Sequence, residues 1–377
     1  MIIGVDGNEA NVAEKVGVSV YTLKLLSHFR KKASDRIRFK IYLRRPPQAD
    51  LPAANRFFDY RVISSQRFWI QFFLPLNLNL KREIGLFFSP AHYSPAFCPV
   101  PCVTTIHDLA FFKYPQEFLK NDLYKLRHWT RDSIKRSVKI IAVSKTTKKD
   151  IIGYYQVPME KISVIYNGFE KNVKYPAAYV NDKLDIAKKP YLLYVGTLQP
   201  RKNITTLIQA FAILKKQQPQ LELIIAGKKG WMYEPVFRAV ENLGLEDSVF
   251  FTGFVSDQQL AFLYQNALCL VLPSYYEGFG LPILEAMSFG CPVISSFSAS
   301  LPEIGGEACL YFDPKNEKDL AEKTSELIND GDLRQSLIKK GKSRVKEFSW
   351  EKCSEETLNL LTQVHYAHFQ SISAREI

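Results

Sequence analysis

The sequence predicts two doubly wound α/β domains in one chain, each a parallel sheet covered by helices, with a cleft between them. Three observations lead there. At 377 residues the chain exceeds the size at which one hydrophobic core keeps growing. Short apolar strands alternate with helical segments along nearly its whole length, as in sheets buried on both faces. The alternation stops once, at NVKYPAAYVNDKLDIAKK (172–189), and then restarts.

The elements follow in order. IIGVD (2–6) is an apolar strand. After a loop comes the helix VSVYTLKLLSHFRKK (18–32), with Val20, Leu23, Leu26 and Phe29 spaced for one face. RFKIYL, EIGLFFS, CVTTIHD and VKIIAVS are further strands, and KNDLYKLRHWTRDSIKR (120–136) is a basic helix. Ser144 is placed to cap the helix KTTKKDIIGYY, and ISVIYNG closes the half. FWIQFFLPLNLNLKR (68–82), apolar around Phe72 and Leu74, reads as a partly buried loop and strand or as a segment touching a membrane interface. In the second half the strands are PYLLYVGT, LELIIAG, VFFTGFV, LCLVLPS and PVISS, interleaved with the helices ITTLIQAFAILKKQ, DQQLAFLYQNA and LPILEAMSFG. The last helical segment carries Leu358, Leu361 and Val364 on one face and is expected to pack back on the first domain. The expected division is 1–172 plus the helix 351–377, a linker at 173–189, and a second domain at 190–350.

Composition excludes several classes. Apolar residues make up 46% and charged residues 23%, ordinary for a globular chain and wrong for a disordered or fibrous one. No apolar run approaches the ~20 residues that span a bilayer. The start, MIIGVDGNEA, lacks the basic and apolar regions of a signal peptide. Six irregularly spaced cysteines suggest a reducing compartment, and Cys98 with Cys102 has no second pair to complete a zinc site. The expected location is the cytoplasm.

Charge is unevenly distributed. Residues 1–190 hold 32 basic and 16 acidic side chains, leaving 18 and 22 for 191–377. The first half, at +16, suits an anionic partner such as a membrane surface, a phosphorylated lipid or nucleic acid. Its basic residues are scattered, and no RNA-recognition or zinc-finger pattern accompanies them, so nucleic acid is not expected.

Four segments carry candidate chemistry. In EGFGLPILEAMSFGCPVI (277–294), Glu277 follows a strand in a Gly-rich turn, and Glu285 lies about one turn into the next helix. Gly278 and Gly280 allow close backbone approach, and the helix start offers N–H groups to a phosphate. Glu285 would accept hydrogen bonds from ribose, and the plain alternative is a strand–helix turn with solvated glutamates. In YVGTLQPRKN (194–203), Arg201 and Lys202 stand at a strand's carboxyl end, placed to neutralise a diphosphate. TIHDLAF sets His107 and Asp108 at another strand end, and KVGVSVY sets Gly17 and Ser19 in the first strand–helix loop. DGD (330–332) lies between two helices and reads as a capping turn rather than a metal site. Walker A, HExxH, GxSxG and GxGxxG patterns are absent.

Taken in order, these segments resemble the retaining nucleotide-sugar glycosyltransferases of family 4, with the GT-B fold of two Rossmann-like domains facing each other across a cleft. TIHDLAFFKYP, AVSKTTKKDI, IIAGKKGW and SLPEIGGEACLYFDP are more particularly similar to the mannosyltransferase-B-like branch, which builds O-antigen or capsule polysaccharide. Ser19 departs from the family's G-x-G loop by replacing its second glycine. The resemblance implies that 1–172 is the acceptor side and 190–350 binds the nucleotide sugar, GDP-mannose, with a lipid-linked saccharide as acceptor and no metal or other cofactor. It implies that Arg201 and Lys202 bind the diphosphate and stabilise it as it leaves. Glu277 would hold the transferred sugar with backbone N–H groups of Phe279 and Gly280, beside Gly278 and Leu281, and Glu285 would bind ribose. His107 would face the sugar, Gly17 would line the phosphate end, and Val255 would lie near the base. Peripheral attachment to the inner membrane face through the basic half completes the expectation. A nucleotide-sugar epimerase and a non-catalytic nucleotide-sugar or glycan-binding protein are the competing readings.

Overall fold

The computed structural model describes residues 1–15, 17–65, 67–170 and 189–373, so the expected linker at 173–189, apart from Lys189, lies outside the described residues. The chain divides into two units, Met1–Gly168 with Phe348–Ile377, and Phe169–Glu347.

The first unit is built on seven parallel strands: β1 (Ile2–Asp6), β2 (Arg38–Leu43), β3 (Phe58–Val62), β4 (Leu86–Ser89), β5 (Cys102–Ile106), β6 (Lys139–Ala142) and β7 (Ile162–Val164). Their order is β3-β2-β1-β4-β5-β6-β7. β4 and β5 are buried at every position, as strands covered on both faces must be. β3 is not evident in the sequence because FDYRV carries two charges and buries only Phe58, which suits an edge strand paired on one side only, Phe58 opposite Phe39.

The helix Val18–Lys32 covers this sheet with Tyr21, Thr22, Leu25, Leu26 and Phe29, and Phe29 stacks on Phe39 at 4.9 Å. Val20 and Leu23, expected on the inner face, are only partly buried at its margin. The helix Trp350–Ser373 adds Trp350, Cys353, Leu360, Leu361 and Val364 to the same core. Where the chain leaves β7, a Cβ on Gly168 would come within 2.2 Å of the Trp350 backbone nitrogen, so this crossing of two backbones requires glycine.

Segment 68–82 is not a loop and strand. A π-helical turn, Trp69–Phe73, runs into the α-helix Leu74–Lys81. The alternating LPLNLNL suggests a strand, but Pro75 sits in the first helical turn, where its missing N–H costs nothing. Leu74 and Leu78, four apart, are the residues that turn inward.

The second unit has six parallel strands: β8 (Tyr191–Val195), β9 (Glu222–Ala226), β10 (Val249–Gly253), β11 (Cys269–Leu272), β12 (Val293–Ser296) and β13 (Cys309–Phe312). Their order is β10-β9-β8-β11-β12-β13. Caps fall where the sequence places them. Ser144 accepts from the Thr147 N–H at 3.0 Å, and Asp330, in the DGD turn, accepts from the Leu333 N–H at 2.8 Å.

Candidate active site

In a doubly wound sheet, loops leaving the carboxyl ends of strands diverge where the winding reverses, and the gap between them receives ligands. In the second unit that point lies between β8 and β11. Arg201 and Lys202 are on the loop after β8, and Glu277 is on the loop after β11.

Local chemistry fixes both loops. Gly196 and Gly227 adopt φ of 154° and 153°, and a Cβ on Gly227 would sit 2.0 Å from the Gly196 carbonyl oxygen. Only glycine allows these two strand ends to touch. One short 3-10 turn, Pro200–Lys202, carries both cations and ends at Asn203, which is left-handed at φ 55°. The Asn203 amide holds that turn by donating to the Pro273 and Pro314 carbonyls at 3.0 and 2.7 Å, while its oxygen accepts from Thr206 at 2.7 Å. The Tyr275 N–H donates to the Arg201 carbonyl at 2.9 Å, tying the two loops directly.

The three side chains converge. Glu277 is 8% exposed. Its Oε1 accepts from Lys202 Nζ at 2.5 Å and from Ser274 Oγ at 2.7 Å, and its Oε2 lies 3.4 Å from Arg201 Nη1. That Arg201 nitrogen also donates to the Tyr276 carbonyl at 3.1 Å. Burial alone would raise the Glu277 pKa, but the charges of Lys202 and Arg201 outweigh it and hold the carboxyl below its ordinary value. The result is an ionised carboxylate with two cations at the mouth of a parallel sheet.

Beyond Glu277 the chain turns through Gly278, Phe279 and Gly280 into the helix Leu281–Ser288, with Gly280 at φ 105° and Pro282 in the first turn. Ser300 Oγ lies 2.8 and 2.9 Å from the Glu277 and Phe279 carbonyls and steadies the turn. Glu285 stands apart from the cation cluster. Its Oε2 accepts from the hydroxyl of fully buried Tyr264 at 2.9 Å. Burial raises the Glu285 pKa, and the Tyr264 hydrogen bond opposes the rise. Val255 is half-buried after β10, one residue before Ser256, which caps the helix Asp257–Asn266.

His107 and Gly17 belong to the first unit. His107 follows β5 and donates through Nε2 to the Pro90 carbonyl at 2.8 Å; a carbonyl only accepts, so in the neutral ring Nδ1 is the acceptor nitrogen. Burial, reinforced by His92, pushes its pKa down to about 4, so the ring is neutral near pH 7. Its backbone N–H donates to His92 Nε2 at 3.2 Å, and the ring packs edge-on against Tyr21 at 4.9 Å. Gly17, at φ 49°, precedes the helix Val18–Lys32, where Ser19 is buried. A Cβ on Gly17 would meet nothing within 4 Å, so backbone conformation rather than crowding selects glycine there.

Ser274, Asn203, Ser300, Tyr264 and His92 do not stand out in the sequence, because small polar residues and lone aromatics are common in loops and cores. Ser274 had one legible signal, its place at a strand's carboxyl end three residues before Glu277. Among the described residues no group of three or more His, Cys, Asp or Glu side chains is placed to hold a metal ion.

Two parallel Rossmann-like sheets in one chain, with polar side chains gathered at strand carboxyl ends, define the GT-B class. A sucrose-phosphate synthase from Thermosynechococcus elongatus superposes with a TM-score of 0.77, at 22% identity over 97% of this chain and 99% of its own. HepE of Anabaena, crystallised with UDP and glucose, superposes with a TM-score of 0.75, at 19% identity over 96% and 99%. The family model for glycosyl transferases group 1 matches residues 180–344, and that for glycosyltransferase family 4 matches 16–172. The O-antigen chain mannosyltransferase B of Escherichia coli is 34% identical over 68% of this chain and 69% of its own length. RfbU of Salmonella typhimurium, also an O-antigen chain mannosyltransferase, is 35% identical over 57% of each. The chain belongs to the group 1, family 4 glycosyltransferases.

Proposed function

We propose that this glycosyltransferase moves a hexose, mannose from GDP-mannose, with retention of configuration onto a lipid-linked or growing polysaccharide acceptor in cell-surface glycan synthesis. The observation that carries the reading is the convergence of Arg201 and Lys202 on buried Glu277 where the second sheet's winding reverses. The buried Gln199 side-chain oxygen, two residues from Arg201, has no hydrogen-bond partner among the described residues, which suits a polar ligand there. The choice of mannose follows the two O-antigen mannosyltransferases that the chain is similar to.

In this reading the bond from the anomeric carbon to the diphosphate oxygen breaks as the acceptor oxygen bonds to the same face of that carbon. The acceptor's proton passes to the departing phosphate oxygen. Arg201 and Lys202 bind the diphosphate and meet the charge that grows on it, so no divalent metal is needed. Glu277, with the turn through Gly278, Phe279, Gly280 and Leu281, holds the sugar as it becomes cationic. Glu285 takes ribose hydroxyls, Val255 lies beside the base, and Gly17 lines the phosphate end. Neutral His107 offers Nδ1 to a sugar hydroxyl. The enzyme works in the cytoplasm, its basic first unit resting on the inner membrane face.

The test is turnover of GDP-mannose and a saccharide acceptor in excess chelator. Mannosylated acceptor and free GDP are expected. Loss of turnover that magnesium or manganese restores would remove metal independence. Isomerised sugar nucleotide without acceptor would establish the epimerase, and donor binding without turnover the non-catalytic protein.

A further prediction concerns Glu285. Tyr264→Phe removes a hydrogen bond to a charged carboxylate and should weaken GDP binding about tenfold at neutral pH. Without that donor the already raised Glu285 pKa moves higher. The variant should therefore lose affinity at a higher pH than wild type as acid is added. Calorimetry across pH checks this, and a Glu285→Gln variant that binds GDP normally would remove Glu285 from the ribose.

A further inference from the structure

The segment 68–82 presents a ridge that packing does not explain. Trp69, Ile70, Leu74 and Leu78 are buried and anchor it, with Trp69 Nε1 donating to the Ile63 carbonyl at 3.0 Å. The opposite side carries Phe68, Phe72, Phe73, Leu76 and Leu80, each between 40% and 73% exposed. Phe97, 74% exposed, joins it from a neighbouring loop, where the Asn79 side chain donates to its carbonyl at 3.2 Å. Six large apolar side chains crowded onto one outer surface are unusual for a water-facing protein.

The charge along the stretch of chain that carries the ridge is one-sided. Between Tyr60 and His107 the basic residues are Arg61, Arg67, Lys81 and Arg82, and the one acid is Glu83. Glu83 is already paired with Lys40. Arg67, Lys81 and Arg82 are exposed at the two ends of the ridge. A helix of eight residues rises only about 12 Å, too short to cross a bilayer but long enough to lie in its headgroup layer.

We propose that this ridge inserts into the headgroup region of an anionic bilayer, so that apolar contact rather than net charge is the larger part of membrane attachment. The inference rests on the membrane association proposed above and is independent of the sugar chemistry. A second copy of the chain is a poorer occupant, because face-to-face pairing would set Arg67, Lys81 and Arg82 against their own copies. Leu74, central in the sequence, has no part in it, since it is fully buried.

The full chain is tested by co-sedimentation with phosphatidylcholine vesicles and with mixed phosphatidylcholine–phosphatidylglycerol vesicles, at low and high salt. Wild type should bind the mixed vesicles and keep measurable binding at high salt. Phe72→Ser with Leu76→Ser and Leu80→Ser should lower partitioning by roughly 10² at either salt. Lys81→Gln with Arg82→Gln should remove only part of the salt-sensitive share. As a positive readout that does not rest on a loss, Phe72→Trp should give added fluorescence that brominated acyl chains quench. Donor-induced thermal stabilisation should be unchanged in every variant, reporting an intact fold. Wild-type binding that vanishes at high salt and survives the triple serine change would leave electrostatic attachment standing and overturn the ridge. So would failure of wild type to bind any vesicle, or self-association that the serine changes abolish in the absence of lipid.

Discussion

Glu277→Gln is expected to slow sugar transfer by about 10² or more while GDP affinity stays within about tenfold of wild type. The substitution keeps shape and removes charge. The lost charge matters in the transition state, when the anomeric carbon turns positive beside the carboxylate, and little in a complex that contains no sugar. The surroundings of Glu277 support that split. Its oxygens are the counter-charge of Lys202 and Arg201 in the free protein. In the variant, the amide nitrogen cannot accept from Arg201, but a bound diphosphate brings its own charge to both cations. GDP therefore compensates for what the free variant lacks. Because the carboxyl pKa is depressed, its ion pairs contribute stability fully above the unfolded value, near 4.3, and lose it as pH falls through the lower folded value. The acid limb of kcat/KM should begin at Glu285, whose carboxyl pKa burial holds above its ordinary value, while Glu277 stays ionised and His107, pushed down to about 4, stays neutral into more acid solution. Single-turnover rates alongside calorimetric GDP affinity decide the matter. A variant that transfers sugar near the wild-type rate would reduce Glu277 to a turn residue held by Ser274.

The two sheets were legible because parallel strands buried on both faces are mostly apolar along their whole length, as in LFFS and CVTTI, where only Ser89, Thr104 and Thr105 are polar. Legibility failed where one physical requirement masked another. β3 pairs on one side, so it tolerates the charges that hide it. In 74–81 the inward residues keep a helical spacing of four, but apolar residues on the exposed face fill in the alternation and imitate a strand. Val20 and Leu23 satisfied a periodicity count, yet the core wanted Tyr21 and Leu25, whose positions depend on how the helix is rotated on its sheet. At the site, strand-end position, the Gly-rich turn and the adjacent cation pair drew attention to Glu277, Arg201 and Lys202, and the family resemblance put all three on one donor. Their direct ion pairing was not legible in the spacing, because it depends on which strands are neighbours. β8 and β11 lie far apart in sequence and side by side in the sheet. The supporting hydrogen bonds from Asn203, Ser274, Ser300 and Tyr264 follow from that adjacency and leave no mark in spacing.

Lys202→Ala should fail in two steps where Glu277→Gln fails in one. A charge-assisted hydrogen bond to phosphate contributes about 1.5–3 kcal/mol, so GDP affinity should fall roughly tenfold to a hundredfold. Turnover at saturating donor should fall by a further factor of about ten or more, because charge on the leaving diphosphate grows as the bond breaks. The side chains of Lys202 and Glu277 are only 14% and 11% exposed, and the substitution also strips a buried carboxylate of its nearest partner. Arg201 at 3.4 Å and Ser274 at 2.7 Å remain, so the protein should fold with reduced stability. Bound GDP should recover less of that stability than in wild type, because its diphosphate has lost one of its two cations. Lys202→Arg keeps charge at a different reach and should restore GDP affinity more fully than turnover. The measurements are thermal unfolding with and without GDP, calorimetric affinity, and single-turnover rate. If Lys202→Ala unfolds at lower temperature yet binds GDP as tightly as wild type, Lys202 serves Glu277 and not the donor. The diphosphate would then have to be held by Arg201 and the helix start after Gly280 alone.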